Sequence, residues 1–315
     1  MHGILLMKVV SYYNSVPIRN SNKQKTELLV KFAQGVNAAG DQGVLHTGTN
    51  IIDADVGVIQ GWVYDNISSP HLKLRKEVID TQIKKQKFVA CADASLFNYK
   101  DKTNPFGYLR YSFNGVFPQT GIYCDNIVHP KRWRQISKNL NIQVEDVKNN
   151  GRWIILLLQR QGGWSMKGYD VEQWALDTIN KIRSYTDRPI IVRPHPGDKK
   201  APIYLNHRKT KLKNLPGVKI SPQGRSLEEE LHKAWAVVNH NSSAAVGPLI
   251  QGYHCFITDP QSSQNKEVSN TDFSKIENPD TFDRNKWLER ISMFHWNFDE
   301  LANGDCWNHM RNYCQ

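Results

Sequence analysis

The segment Pro189-Ile190-Ile191-Val192-Arg193-Pro194-His195-Pro196 decides how the chain is read. Four residues give a short buried-strand pattern, and the prolines flanking His195 stop it abruptly. About forty-five residues later, Ala236-Val237-Val238 runs into Asn239-His240-Asn241-Ser242-Ser243, a second strand pattern that ends at a helix start. In an open parallel sheet, ligands bind just beyond the carboxyl ends of the strands. Two strands with these sequels aim a cation, an imidazole and a pair of hydroxyls at one crevice. That set suits a phosphorylated ligand, first of all a nucleotide or nucleotide-sugar.

The alternation of strand and helix extends outward from this pair. Trp153-Ile154-Ile155-Leu156-Leu157-Leu158 is a continuous buried-strand run. Residues 171–185 form a helix with Trp174, Ala175, Thr178, Ile179 and Ile182 on its inner face. Further strands are expected at 218–220 and 255–257, a helix at 243–251, and a helix opening at Ser226 with a capping box to Glu229. In the first half, strands are expected at 4–10, 56–59 and 88–92, and helices at 25–38 and 72–83. Residues 104–115 are aromatic and turn-rich, and read as a long functional loop or a small hairpin. The polar stretch 139–151, ending Asn149-Asn150-Gly151, reads as the interdomain linker. The expected fold class is therefore α/β, with two doubly wound, Rossmann-like domains facing a cleft. Their bounds are 1–148 and 149–290, and residues 291–315 form a C-terminal tail that packs back on the first domain.

Composition narrows the class further. The chain has 315 residues, 39% hydrophobic and 23% charged, which is globular and not disordered. No apolar run reaches the roughly 18–20 residues of a membrane span. The apolar opening residues lack a basic lead and a cleavage site, so they read as a first strand rather than a signal peptide. Cys91, Cys124, Cys255, Cys306 and Cys314 are scattered and odd in number. They support neither a disulfide framework nor a zinc site, and the expected compartment is the reducing cytoplasm, that of a host cell if the protein is viral. The net charge of +11 favours anionic partners. Residues 1–150 carry 19 Lys+Arg against 12 Asp+Glu and are the more basic half.

Candidate site residues follow from position. Pro194 and Pro196 hold the backbone extended and fix where Arg193 and His195 point. Asn241, Ser242 and Ser243 lead into small residues and a helix start that offers N–H groups to an anion. The plain alternative is that the serines only cap the helix. Gln159, Gly162 and Gly163 follow the 153–158 strand, where paired glycines allow close backbone approach or simply make a turn. Ser226 and Glu228–Glu230 open a helix on the same side, where one carboxylate, Glu229 first among them, can hold a ribose hydroxyl, or all merely favour the helix dipole. Asp93 ends a buried strand and is the candidate base for an acceptor hydroxyl, with Asp53 and Asp55 as rivals. Gln60, Gly61, Trp62 and Arg110 can line the acceptor side, with core packing as the alternative for the aromatics. Basic clusters at Lys73/Arg75/Lys76, Lys84/Lys85/Lys87, Lys131/Arg132/Arg134 and 199–213 can track a nucleic-acid backbone, or be solvated faces.

Leu156-Leu157-Leu158-Gln159, Arg193-Pro194-His195-Pro196 and Asn241-Ser242-Ser243, in that order, resemble the capsule-polysaccharide glycosyltransferases of the Kdo-transferase type. Gly107-Tyr108-Leu109-Arg110 is similar to that family's GYLRP element, with Tyr111 in place of the proline. The resemblance implies a GT-B architecture and an inverting, metal-independent transfer from a nucleotide-activated sugar. It also implies that Arg193, His195, Ser242 and Ser243 hold the donor phosphate and that a carboxylate of the first domain is the base. The donor, taken as a UDP-sugar, is a co-substrate, and no cofactor is implied. A short, basic chain of this architecture also looks like the bacteriophage DNA glucosyltransferases, which bind the duplex and extrude a base. The acceptor expected on that ground is hydroxymethylated pyrimidine in duplex DNA, bound by Lys131, Arg132 and Arg134. The alternatives are a capsule or surface-glycan acceptor, and a non-catalytic nucleic-acid-binding protein on a transferase scaffold.

Overall fold

The computed structural model describes residues 6–17, 23–64, 67–97, 106–206, 210–222 and 224–314. The chain divides into two compact units: residues 1–95, 103–139 and 289–315 form the first, and 96–102 and 140–288 the second.

Unit 1 begins β1 (Lys8–Tyr12), α1 (Lys23–Ala38), β2 (Gln42–His46), β3 (Val56–Gln60), α2 (Pro70–Lys84), β4 (Phe88–Asp93), β5 (Leu109–Phe113) and α3 (Pro130–Asn139). Successive strand residues point to opposite faces, and this pattern builds two cores. Val9, Val56, Val58, Ala90 and Ala92 pack on Leu28, Leu29, Phe32 and Val36 of α1. Val10, Ile59, Val89 and Cys91 pack on Leu74, Val78 and Ile79 of α2. β1 to β4 run parallel, whereas β5 returns antiparallel to β4. Part of the aromatic stretch expected as a loop or hairpin is thus an internal strand, with Tyr111 and Phe113 in the core. Its first two residues, 104–105, lie outside the described residues, as do residues 4–5 of the first expected strand.

Unit 2 contains β6 (Trp153–Leu157), α4 (Val171–Arg183), β7 (Ile190–Arg193), α5 (Ala201–Asn206), β8 (Val218–Ile220), α6 (Leu227–Leu231), β9 (Ala234–Asn239), α7 (Val246–Ile250) and β10 (His254–Ile257). All five strands are parallel, in the order β10-β9-β6-β7-β8. The order reverses at β6 and β9, so the topological switch point lies between them. The unit's main stretch starts at Leu140 rather than at 149. Residues 145–148 are hydrogen-bonded to it: Glu145 N donates to Ile250 O and Lys148 N to Gly252 O, both at 2.9 Å.

The chain re-enters unit 1 within α8 (Arg284–Ser292) and adds β11 (His295–Trp296), α9 (Phe298–Ala302) and α10 (Asp305–Met310). β11 pairs antiparallel with β5, and Leu301, Cys306, Trp307 and Met310 complete the core against α1. Asp41 ties this segment down. It accepts Trp307 Nε1–H at 2.7 Å, pairs with Arg311 at 3.1 Å and accepts Met7 N–H at 3.0 Å.

Candidate functional site

Three loops leave the centre of the unit 2 sheet at its carboxyl edge. The loop after β6 begins Leu158-Gln159, that after β7 is Pro194-His195-Pro196-Gly197-Asp198, and that after β9 is His240-Asn241-Ser242-Ser243. Buried polar side chains brace them together. Gln159 Nε2 donates to Asn241 Oδ1 at 2.6 Å across the switch point. Asn241 Nδ2 donates to Asp259 at 3.1 Å and to Ser165 O at 3.2 Å. Asp198 accepts Gln161 N–H at 3.0 Å and the Tyr204 hydroxyl at 2.8 Å, binding the β7 loop to the β6 loop. Asp198 went unread in the sequence, although it closes the Pro-rich turn.

His195 is held by its own loop. Gly197 N–H donates to Nδ1 at 3.0 Å, so that nitrogen is the acceptor and Nε2 carries the proton of the neutral ring. Burial and the nearby Arg160 cation push the imidazole pKa below its ordinary value, against the opposing pull of Asp198. The ring is therefore neutral near pH 7, and Nε2–H has no hydrogen-bond partner among the described residues. That is a donor suited to an anionic or carbonyl oxygen.

Arg193 is placed differently from expectation. Its NH1 donates to Glu230 at 2.9 Å and its NH2 to Arg225 O at 2.9 Å. The Glu230 side chain is fully buried and also accepts the Ser221 hydroxyl. A guanidinium committed to these partners shapes the loop rather than gripping phosphate by both prongs. Ser226 and Glu229 are likewise spent on the helix terminus. Ser226 Oγ accepts Glu229 N–H at 3.2 Å and Glu229 accepts Ser226 N–H at 2.8 Å. The inward carboxylate is Glu230, one residue on. Leu227 and Leu231 face the core, and that stripe passes through position 230, so the signal was in the sequence.

Ser242 caps its turn through Ala244 N–H at 3.2 Å, and Ser243 is exposed. The helix start is only a 3-10 turn, Ser243–Ala245, followed by the five-residue α7, so its dipole is small. Gly162 has φ +72°, and nothing lies within 4 Å of the Cβ it lacks. It serves the turn closed by Gly163 N–H to Arg160 O at 2.9 Å, not a close backbone approach.

On unit 1, Asp93 accepts Ala94 N–H at 2.8 Å and pairs with Arg110. Several acceptor-side expectations are corrected. Trp62 is a core residue, packed with α2. Gln60 and Gly61 form a turn over buried Arg75, which donates to Gln60 Oε1 at 3.4 Å. Arg132 is buried in a two-pronged pair with Glu300, with one contact at 2.7 Å, and it also donates to His295 O. It anchors the returning C-terminal segment and is not a surface cation. Lys131 and Arg134, on the same helix, are exposed. The other clusters are also partly neutralised. Lys76 pairs with Asp80 at 2.5 Å, Lys85 with Asp53 at 2.8 Å and Lys87 with Asp55 at 3.3 Å. These pairs also occupy Asp53 and Asp55. Of the 199–213 stretch, residues 207–209 lie outside the described residues.

The fold is mixed α/β with two parallel-dominated sheets, of the GT-B type. It is similar to two solved structures of KpsC from Thermosulfurimonas dismutans. The β-Kdo 2,4-transferase matches at 12% identity over 94% of each chain, with a TM-score of 0.56. The β-Kdo 2,7-transferase matches at 10% identity over 94% of this chain and 99% of that one, with a TM-score of 0.51. No protein-family model and no curated protein matches the sequence. Among the described residues, no helix is long and apolar enough to cross a membrane.

Proposed function

We propose that this protein is a glycosyltransferase that moves a sugar from a nucleotide-sugar to a hydroxyl of a surface glycan. The observation that carries the reading is His195, neutral, oriented by Gly197 and offering Nε2–H beside the braced loops at the switch point. Adjacent strands lie about 4.8 Å apart, so the ends of β7 and β9 on either side of β6 are about 10 Å apart. That span suits a nucleotide lying across the three loops better than one shared anion. In this reading His195 and the Ser242 and Ser243 hydroxyls meet the donor, and a carboxylate is the base. The acceptor oxygen attacks the anomeric carbon, its proton passes to the base, and the bond to phosphate breaks with its electrons leaving on the nucleotide.

A glycan acceptor is preferred to duplex DNA for an electrostatic reason. Phosphate-backbone binding needs several uncompensated cations. In three of the basic clusters a cation is buried or paired with a carboxylate. The fold likeness to Kdo transferases favours the same choice.

A thermal-shift panel of nucleotide-sugars tests the reading. A ligand at 100 times its Kd stabilises by about 2.7 kcal/mol, a rise of several degrees. His195→Ala should abolish the rise. An unchanged rise in that variant removes His195 from the donor site. Label from the best donor should then enter a capsule oligosaccharide and not hydroxymethylated duplex DNA.

A further inference from the structure

Unit 2 has a cavity of about 430 Å³ between α4 and the turn that follows β10. Its size falls within the range of small-molecule sites. None of Arg193, His195, Ser242 or Ser243 lines it. Its wall includes Lys167, Tyr169, Trp174, Lys181, His240 and Asp259.

The wall is rigid and chemically even-handed. Trp174 Nε1–H donates to Thr258 Oγ1 at 3.0 Å, and the Thr258 hydroxyl bonds His240 Nδ1 at 2.7 Å. On the other side of its ring, His240 Nε2 lies 3.8 Å from the Asp259 carboxylate. Trp174 and His240 meet edge to face at 5.7 Å. Lys167 pairs with Asp259 at 3.3 Å. Lys181 lies over the Phe273 ring at 4.7 Å and makes no ion pair among the described residues, and Asp177, one helical turn earlier, offers a carboxylate. At the rim Tyr169 is 67% exposed. One exposed tyrosine alone means little. Here the ring adjoins an open cavity lined by two lysines and two aspartates, whose charges balance.

That chemistry discriminates between ligands. A nucleotide phosphate calls for an excess of cations, and a lipid chain calls for an apolar lining. A sugar ring has one face of C–H groups to lay on an aromatic and a rim of hydroxyls that both donate and accept. We propose that this cavity binds one uncharged sugar ring of a glycan, stacked on Tyr169 and hydrogen-bonded by Asp177, Lys181 and His240. The inference goes beyond the donor reading and does not require it, although the cavity borders that site: His240 opens the β9 loop, and Asp259 accepts Asn241 Nδ2–H.

The test is titration calorimetry of the full chain with neutral oligosaccharides of three to five units, built from glucose, galactose, mannose or N-acetylglucosamine. At least one should bind with Kd at or below about 1 mM. Tyr169→Ala and Asp177→Asn, both at exposed positions, should weaken it at least tenfold while leaving the melting temperature unchanged. Excess UDP-glucose should not displace it. The proposal is overturned if no oligosaccharide binds, if both variants bind within twofold of the wild type, or if the nucleotide-sugar displaces the bound glycan.

Discussion

Glu230→Gln isolates the part that buried charge plays in shaping the candidate site. The carboxylate has no exposure and sits 2.9 Å from Arg193, whose side chain is 15% exposed. With an effective dielectric near 20, Coulomb's law gives about 6 kcal/mol at that distance. Glutamine keeps an acceptor for the guanidinium but loses the charge, and stranding one partner of a buried pair costs about 3–5 kcal/mol. The isosteric change should therefore cost about 3 kcal/mol. For a unit of this size, each kcal/mol moves the midpoint by about 2–4 °C, so scanning calorimetry should show a fall of roughly 6–12 °C. Arg193→Met combined with Glu230→Met should recover much of the loss, because neither charge is then left alone. A Glu230→Gln midpoint within a degree of the wild type, or a double variant no more stable than the single, would refute the claim that Arg193 leans on Glu230.

Acid should unfold unit 1 through His295. Burial holds its pKa down to about 3, so between about 6.5 and 3 the unfolded chain takes up a proton that the folded one refuses. Stability should then fall as pH drops across that window, by up to about 1.4 kcal/mol per pH unit, and urea titrations of His295→Gln should show a shallower slope. Gly35→Ala should cost about 1–3 kcal/mol despite better helix propensity, because the added Cβ lands 1.7 Å from Leu301 O. A neutral or stabilising result in denaturant would show that α1 and α9 can separate without loss. Gly162→Ala has open space for its methyl group but a φ of +72°, so calorimetry should report a loss of about 1 kcal/mol from backbone strain alone.

What local pattern encodes was legible, and what distant partners decide was not. The run Trp153–Leu157 and the strand before Arg193 are apolar, short and bounded by breakers, and both are central strands. The capping box at Ser226 was equally plain. Arg132, in contrast, looked like one more cation in a basic helix. Its partner, Glu300, is 168 residues away, and no window of sequence could pair them. Trp62 follows a strand and turns back over α2, a placement set by tertiary packing. The boundary at Leu140 was missed because three of residues 145–148 carry charged side chains, on a backbone that hydrogen-bonds into unit 2. A polar stretch reads as linker even when its amides and carbonyls are engaged.

The bracing of the three loops bears on function more than on stability. Buried polar networks add little to folding free energy compared with apolar packing, and each member costs desolvation. Gln159, Asn241, Asp198 and Glu230 satisfy one another or nearby backbone across loops that follow different strands. Their shared effect is to remove freedom from loops that would otherwise be the most mobile part of a parallel sheet. Such preorganisation is what a binding site needs, because a ligand then spends little of its affinity on ordering the protein. The same network explains why Arg193 is not the anion ligand that its sequence context suggests: its charge already answers Glu230. His195 Nε2–H is left without a partner among the described residues, and exposed Arg160 is near enough to lower the ring's pKa. A neutral N–H donor near an exposed cation suits an anionic oxygen.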